Sequence, residues 1–197
     1  IDICCRWGID LKLYLKKNTY EILIKLITNC KSFKMKVIKI IDNIISINNS
    51  LIFNFIDDDL DQNIMETIVF TKCHRDFNIY TEMLNNLKLV KTIIHFYPSG
   101  CLYKKLDICQ FVQNLIAILE NGSNELSAIV YQILYDMYNH LLKIGGDQLD
   151  LFNSQFQSSG GIEISLEDKE SFDTETYDYV DSFLTLYQQS MESESEF

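Results

Sequence analysis

The chain has 197 residues, 47% of them hydrophobic and 23% charged, with a net charge of −11. That length and composition exclude extended disorder over most of the chain and suit one domain with a full core. No apolar run reaches the ~18 residues a bilayer span needs, because Asp42 interrupts the best one, Val37 to Ile47.

The charge is uneven. Residues 1–56 hold nine Lys/Arg against four Asp/Glu, a net of +5. Residues 147–197 hold one lysine against 13 acids, a net of −12. A basic start and an acidic finish imply mutual attraction or two different partners. The chain starts at Ile1 rather than methionine and is expected to be a piece of a longer protein.

The expected elements are helical throughout. Ile3 to about Lys16 has helical spacing, interrupted near Gly8. Asn18 or Thr19 caps a second helix reaching about Asn29, and Ser32 caps a third. There Phe33, Val37, Ile40, Ile41, Ile44 and Ile45 form the inner face, with Lys34, Lys36 and Lys39 nearer water. Asn48-Asn49-Ser50 ends it. Asp57, Asp58, Asp59 and Asp61 precede a helix from Asn63 to about Cys73, where acids complement the helix dipole. Longer helices follow over 76–97, 102–120 and 124–144, broken by Pro98-Ser99-Gly100 and Asn121-Gly122-Ser123. Residues 147–161, ending in the Ser/Gln/Gly-rich SQFQSSGG, are expected to be a linker, and 162–197 an acidic tail. Within that tail Tyr179, Phe183, Leu186, Tyr187 and Met191 mark one amphipathic helix; Ile162, Ile164 and Leu166 alternate briefly in strand fashion.

Two stretches 92 positions apart read alike. Leu23, Ile24, Leu26 and Ile27 fall on Leu115, Ile116, Ile118 and Leu119; Val37, Ile38, Ile41 and Ile45 fall on Ile129, Val130, Ile133 and Met137. A spacing of 92 is twice 46, inside the roughly 40–47 residues of stacked helical repeats. Such stacks build binding surfaces rather than reaction pockets.

Chemistry is poorly supplied. The six cysteines (Cys4, Cys5, Cys30, Cys73, Cys101, Cys109) lack the spacing of a disulfide framework or a zinc site, and Cys73-His74 are adjacent residues that point apart. His74, His95 and His140 sit late in their helices, where a cation complements the carbonyl end. Neither Gly145-Gly146 nor Gly160-Gly161 carries the further glycine or lysine of a phosphate loop. No catalytic residue, metal or cofactor is therefore expected. Lys12, Lys16, Lys17, Lys25, Lys31, Lys34, Lys36 and Lys39 could line a stripe for phosphates, but Arg6 is the one arginine among them, and direct nucleic-acid binding is not expected. Tyr131, Tyr135 and Tyr138, spaced i, i+4 and i+7, form one stripe. With Tyr179, Phe183 and Tyr187 they are the candidate protein contacts, against a plain reading as core.

Three segments carry a family resemblance: Gly8-Ile-Asp-Leu-Lys-Leu-Tyr-Leu, Tyr20-Glu-Ile-Leu-Ile-Lys-Leu-Ile and Lys36-Val-Ile-Lys-Ile-Ile-Asp-Asn-Ile-Ile. Together they resemble a degenerate armadillo or HEAT repeat, and Gly8-Ile9 matches the glycine that opens a helix in those families. More faintly, Gly8 to Ile27 is similar to part of the virilizer-type scaffold of the messenger-RNA adenosine methylation complex. The resemblance implies an all-α protein of stacked antiparallel helix pairs over 1–146, acting as a non-catalytic scaffold inside the cell, in the nucleus by preference. Its acidic end would meet basic surfaces of other proteins, with no membrane contact. The alternative is a compact helical bundle that holds a partner's helix in an apolar groove, as Bcl-2-like proteins do.

Overall fold

A computed structural model describes residues 22, 23, 26, 31–47, 77–96, 102, 103, 106–172 and 174–194. Among these residues every regular element is a helix: α1 (Lys31–Ile47), α2 (Phe77–Phe96), α3 (Ile108–Asn121), α4 (Asn124–Ile144), α5 (Asp147–Ser158), α6 (Gly161–Ser171) and α7 (Thr174–Glu194). The helices expected over 3–16 and 63–73, most of the one over 19–29, the acids at 57–61 and Pro98-Ser99-Gly100 lie outside the described residues. No described helix is long and apolar enough to cross a membrane. The chain divides into two compact units, Ile1–Tyr97 and Pro98–Phe197.

In the first unit α1 packs on α2. Val37, Ile38, Ile41 and Ile44 are buried on α1, against Met83, Leu87, Leu89, Val90, Ile93 and Ile94 on α2. Lys36 and Lys39 are exposed, as the helical spacing requires. A polar tie crosses this pair: the Thr92 hydroxyl donates to Asp42 Oδ1 at 3.0 Å.

The second unit is built around α4, which packs on α3, α5 and α7. α3 begins where Asp107 accepts a hydrogen bond from the Gln110 amide at 3.0 Å, a side-chain N-cap. A two-residue link, Gly122-Ser123, turns the chain straight back into α4. Gly145 and Gly146 (φ +67° and +76°) then let α5 start at once, in a backbone region that a β-carbon disfavours.

The stretch expected as a linker, 147–161, is helix α5 followed by a turn. Leu149, Phe152 and Phe156, at i, i+3 and i+7, are all buried there, and that apolar stripe outweighs the Ser/Gln composition. The acidic tail likewise holds two helices rather than one. Ile162 and Ile164, read as a brief strand alternation, lie within α6.

α7 runs parallel to α4. Tyr131 of α4 meets Phe183 of α7, and Tyr138, two turns further on, meets Tyr187 and Ser190, so positions advance together along both helices. α5 and α6 carry the chain back between them.

Candidate interaction surface

The candidate contacts come from α4 and α7, and the seam between these helices takes in most of them. Tyr131, Tyr138 and Phe183 have no exposed area, and Tyr187 is buried. Tyr135 (36% exposed) and Tyr179, half-buried, are what remains at the surface. The tyrosine stripe is therefore split. Position 135 points to solvent, while 131 and 138 point into the helices that fold back over α4.

The buried rings form one cluster. Tyr138 lies 5.1 Å from Phe152 and 5.2 Å from Tyr187, and Phe156 lies 5.2 Å from both Phe183 and Tyr187. Offset and edge-on pairs at these separations add attraction beyond the buried area itself. The hydroxyls reach the edge of the cluster and find partners there. Tyr131 donates to Asp168 Oδ2 at 2.6 Å and lies 3.3 Å from Ser165 Oγ; Tyr138 bonds Ser190, and Tyr187 accepts from Gln157 Nε2 at 3.1 Å. Burial and the bonded Asp168 push the Tyr131 hydroxyl's pKa far up, so it stays a donor. Burial, with Glu167 beside it, raises Asp168 above the ordinary carboxylate value, although the Tyr131 bond pulls the other way.

A second buried pair ties the start of this unit to α4. The Tyr103 hydroxyl and His140 Nδ1 are 2.9 Å apart, both side chains being buried. Burial and the charge of Asp136 raise the Tyr103 pKa. His140, expected to complement the helix end, is thus part of the core. His95 does sit in the last turn of α2, exposed, with its ring edge-on to Phe96 at 4.9 Å.

The outer faces of α5, α6 and α7 are acidic. Asp147 and Asp150 on α5, Glu163, Glu167 and Glu170 on α6 and Asp178 on α7 are all exposed. Lys169, the lysine of this region, is engaged: its Nζ lies 2.5 Å from Asp181 Oδ1 and 5.5 Å from the Tyr177 ring centroid. The hydrogen bond from Lys169 to Asp181 raises the ammonium pKa. Leu166 (46% exposed) and Tyr177 (38%) are the apolar side chains of α6 and α7 that stand out among these carboxylates. Of the basic stripe, Lys36 and Lys39 are exposed on α1, whereas Lys12, Lys16, Lys17 and Lys25 lie outside the described residues.

The sequence reading missed Phe152 and Phe156 as members of the aromatic cluster, and Asp168 and Lys169 as its polar margin. The i, i+3, i+7 spacing of Leu149, Phe152 and Phe156 was the available signal; nothing comparable marks α6. Among the described residues no group of three or more His, Cys, Asp or Glu is placed to hold a metal ion. Comparison of the chain with protein-family models, with curated proteins and with solved structures finds no match.

Proposed function

We propose that the chain is a non-catalytic interaction scaffold whose second unit offers a folded acidic surface to a basic partner protein. The observation that carries this reading is the position of the carboxylates. They stand on the outer faces of three successive helices, so the negative charge is carried on folded helices rather than on a loose tail. Carboxylates presented in a set pattern along helices steer encounter and help to set register at an interface.

The helix spacing supports a stack of helical repeats as the architecture of this scaffold. When repeats stack in register, equivalent helices of successive repeats lie side by side and parallel, and α4 and α7 do so. They start at Asn124 and Thr174, 50 positions apart; α1 and α2, which also pack together, start at Lys31 and Phe77, 46 apart. These intervals stand close to the roughly 40–47 residues of armadillo and HEAT repeats.

Titration of the full chain with a synthetic lysine-rich helical peptide tests the reading. Binding is expected at low salt and should weaken by about tenfold or more as the ionic strength approaches 0.3 M. Reversing three charges together (Glu163→Lys, Glu167→Lys, Glu170→Lys) should abolish it. Equal affinity of the reversed and native chains, or no binding at low salt, removes the acidic surface as the docking element.

A further inference from the structure

α6 is anchored unlike its neighbours. Of its 11 residues only Gly161 and Ser165 are buried, and neither brings an apolar side chain to the core. Ile162 and Ile164 are half-buried and Leu166 is 46% exposed. α3 and α5, by contrast, each bury leucine and phenylalanine side chains. Burial of apolar area is the main adhesive between helices, and α6 has little of it.

Polar ties hold it instead. Asp168 accepts from the Tyr131 hydroxyl at 2.6 Å, Ser165 Oγ lies 3.3 Å from the same hydroxyl, and Lys169 reaches Asp181 of α7 at 2.5 Å. Each is a modest contribution beside water that can replace it. The amino end is fixed differently. Gly160 has φ +72°, and a β-carbon on Gly161 would lie 2.5 Å from the Phe156 ring, so the chain turns there in close contact with the core.

From this arrangement we propose that α6 is a strap, fastened at Asp168 and Lys169, that opens by local unfolding beyond its Gly160-Gly161 start while α4 and α7 stay packed. Elements with few buried apolar contacts open at a fraction of the global unfolding free energy. Opening frees the Tyr131 hydroxyl from Asp168 and Ser165, while its ring stays against Phe183 of α7. The opening does not rest on the scaffold reading, and amide exchange tests it independently of any partner.

Hydrogen–deuterium exchange on the full chain is the experiment. Amides of 164–171 should exchange at least about tenfold faster than those in the centres of α4 and α7. Tyr131→Phe keeps the ring and removes the hydroxyl, and should speed exchange in α6 by about fivefold while leaving α4 unchanged. Lys169→Met, which keeps the aliphatic stem and removes the charge, should act in the same direction from the other fastening point. Exchange of α6 in step with α4 and α7, or equal acceleration of all three helices by Tyr131→Phe, overturns the proposal.

Discussion

The helix pair α1–α2 of the first unit and the pair α4–α7 of the second solve the same packing problem with different side chains. The α1–α2 pair is aliphatic: Val37, Ile38, Ile41 and Ile44 meet a second helix carrying Leu87, Val90, Ile93 and Ile94. On α2 Asn86 has no exposed area, and among the described residues neither polar atom of its carboxamide has a hydrogen-bond partner. The α4–α7 seam is aromatic, and the hydroxyls of Tyr131, Tyr138 and Tyr187 are each bonded. Branched aliphatics fill volume without fixing direction. Rings with a polar tip fix the rotation and register of each helix, because the tip must reach one particular acceptor. The second seam is therefore the more sharply specified, and the first carries an uncompensated polar group. Asn153 Oδ1 on α5 is the comparable orphan of the second unit, on a helix that contributes to neither pair.

Breaking the aromatic seam should have the largest effect. Phe183→Ala removes the ring that touches Tyr131, Tyr138, Phe156 and Tyr187. It should cost the second unit about 3–5 kcal/mol. Exchange protection of α4 and α7 would collapse while that of α1 and α2 is retained; equal loss in both units would contradict the two-unit division. Gly161→Ala comes next, because its β-carbon would stand 2.5 Å from the Phe156 ring and 2.7 Å from the Phe156 carbonyl oxygen. A penalty of about 1–3 kcal/mol in chemical denaturation is expected, as for other overpacked sites.

The aliphatic seam should respond in the opposite sense. Asn86→Leu replaces an unbonded carboxamide with an apolar side chain of similar volume, and should stabilise the first unit by about 1–3 kcal/mol. A destabilised variant would mean that the carboxamide is satisfied in solution. The smallest effect is the pH dependence carried by Asp168. Its folded pKa is raised above the ordinary 3.8, so the folded state holds the proton more tightly than the unfolded chain. Stability conferred by this group is full below 3.8 and falls as pH rises through the raised value, the penalty being complete above it. The stability of the native chain relative to Asp168→Asn should accordingly decline as pH rises through that window. A difference that is flat with pH would show that Asp168 titrates alike in both states.

Much of the fold was legible because most helices carry a strong apolar period and clear stops. The stretch read as a helix over 76–97 is Phe77–Phe96, and that over 124–144 has the same bounds in the structure. The helix expected from Leu102 is broken at residues 106 and 107, where Asp107 caps a new start. An Asp three positions before Gln110 is a readable cap, hidden by the apolar residues on either side. α5 was lost to a composition rule: serine, glutamine and asparagine outnumber its apolar residues, yet the three that matter share one face. α6 left no periodic trace, since polar ties rather than buried apolar side chains hold it. The tyrosine stripe on α4 was visible in the sequence, but which part of it faces water was not. That depends on α6 and α7 folding back over Tyr131 and Tyr138, a consequence of topology and not of local pattern.

The parallel packing of α4 on α7 bears on how the second unit is made. A nascent chain would expose Tyr131 and Tyr138 on leaving the ribosome, some fifty residues before Phe183, Tyr187 and Ser190 follow. Until then the aromatic side of the α3–α4 hairpin has only Phe152 of α5 and Ser165 and Asp168 of α6 as partial cover. The unit's final closure is thus delayed to the synthesis of its last helix, and any truncation within α7 leaves greasy, aggregation-prone rings behind.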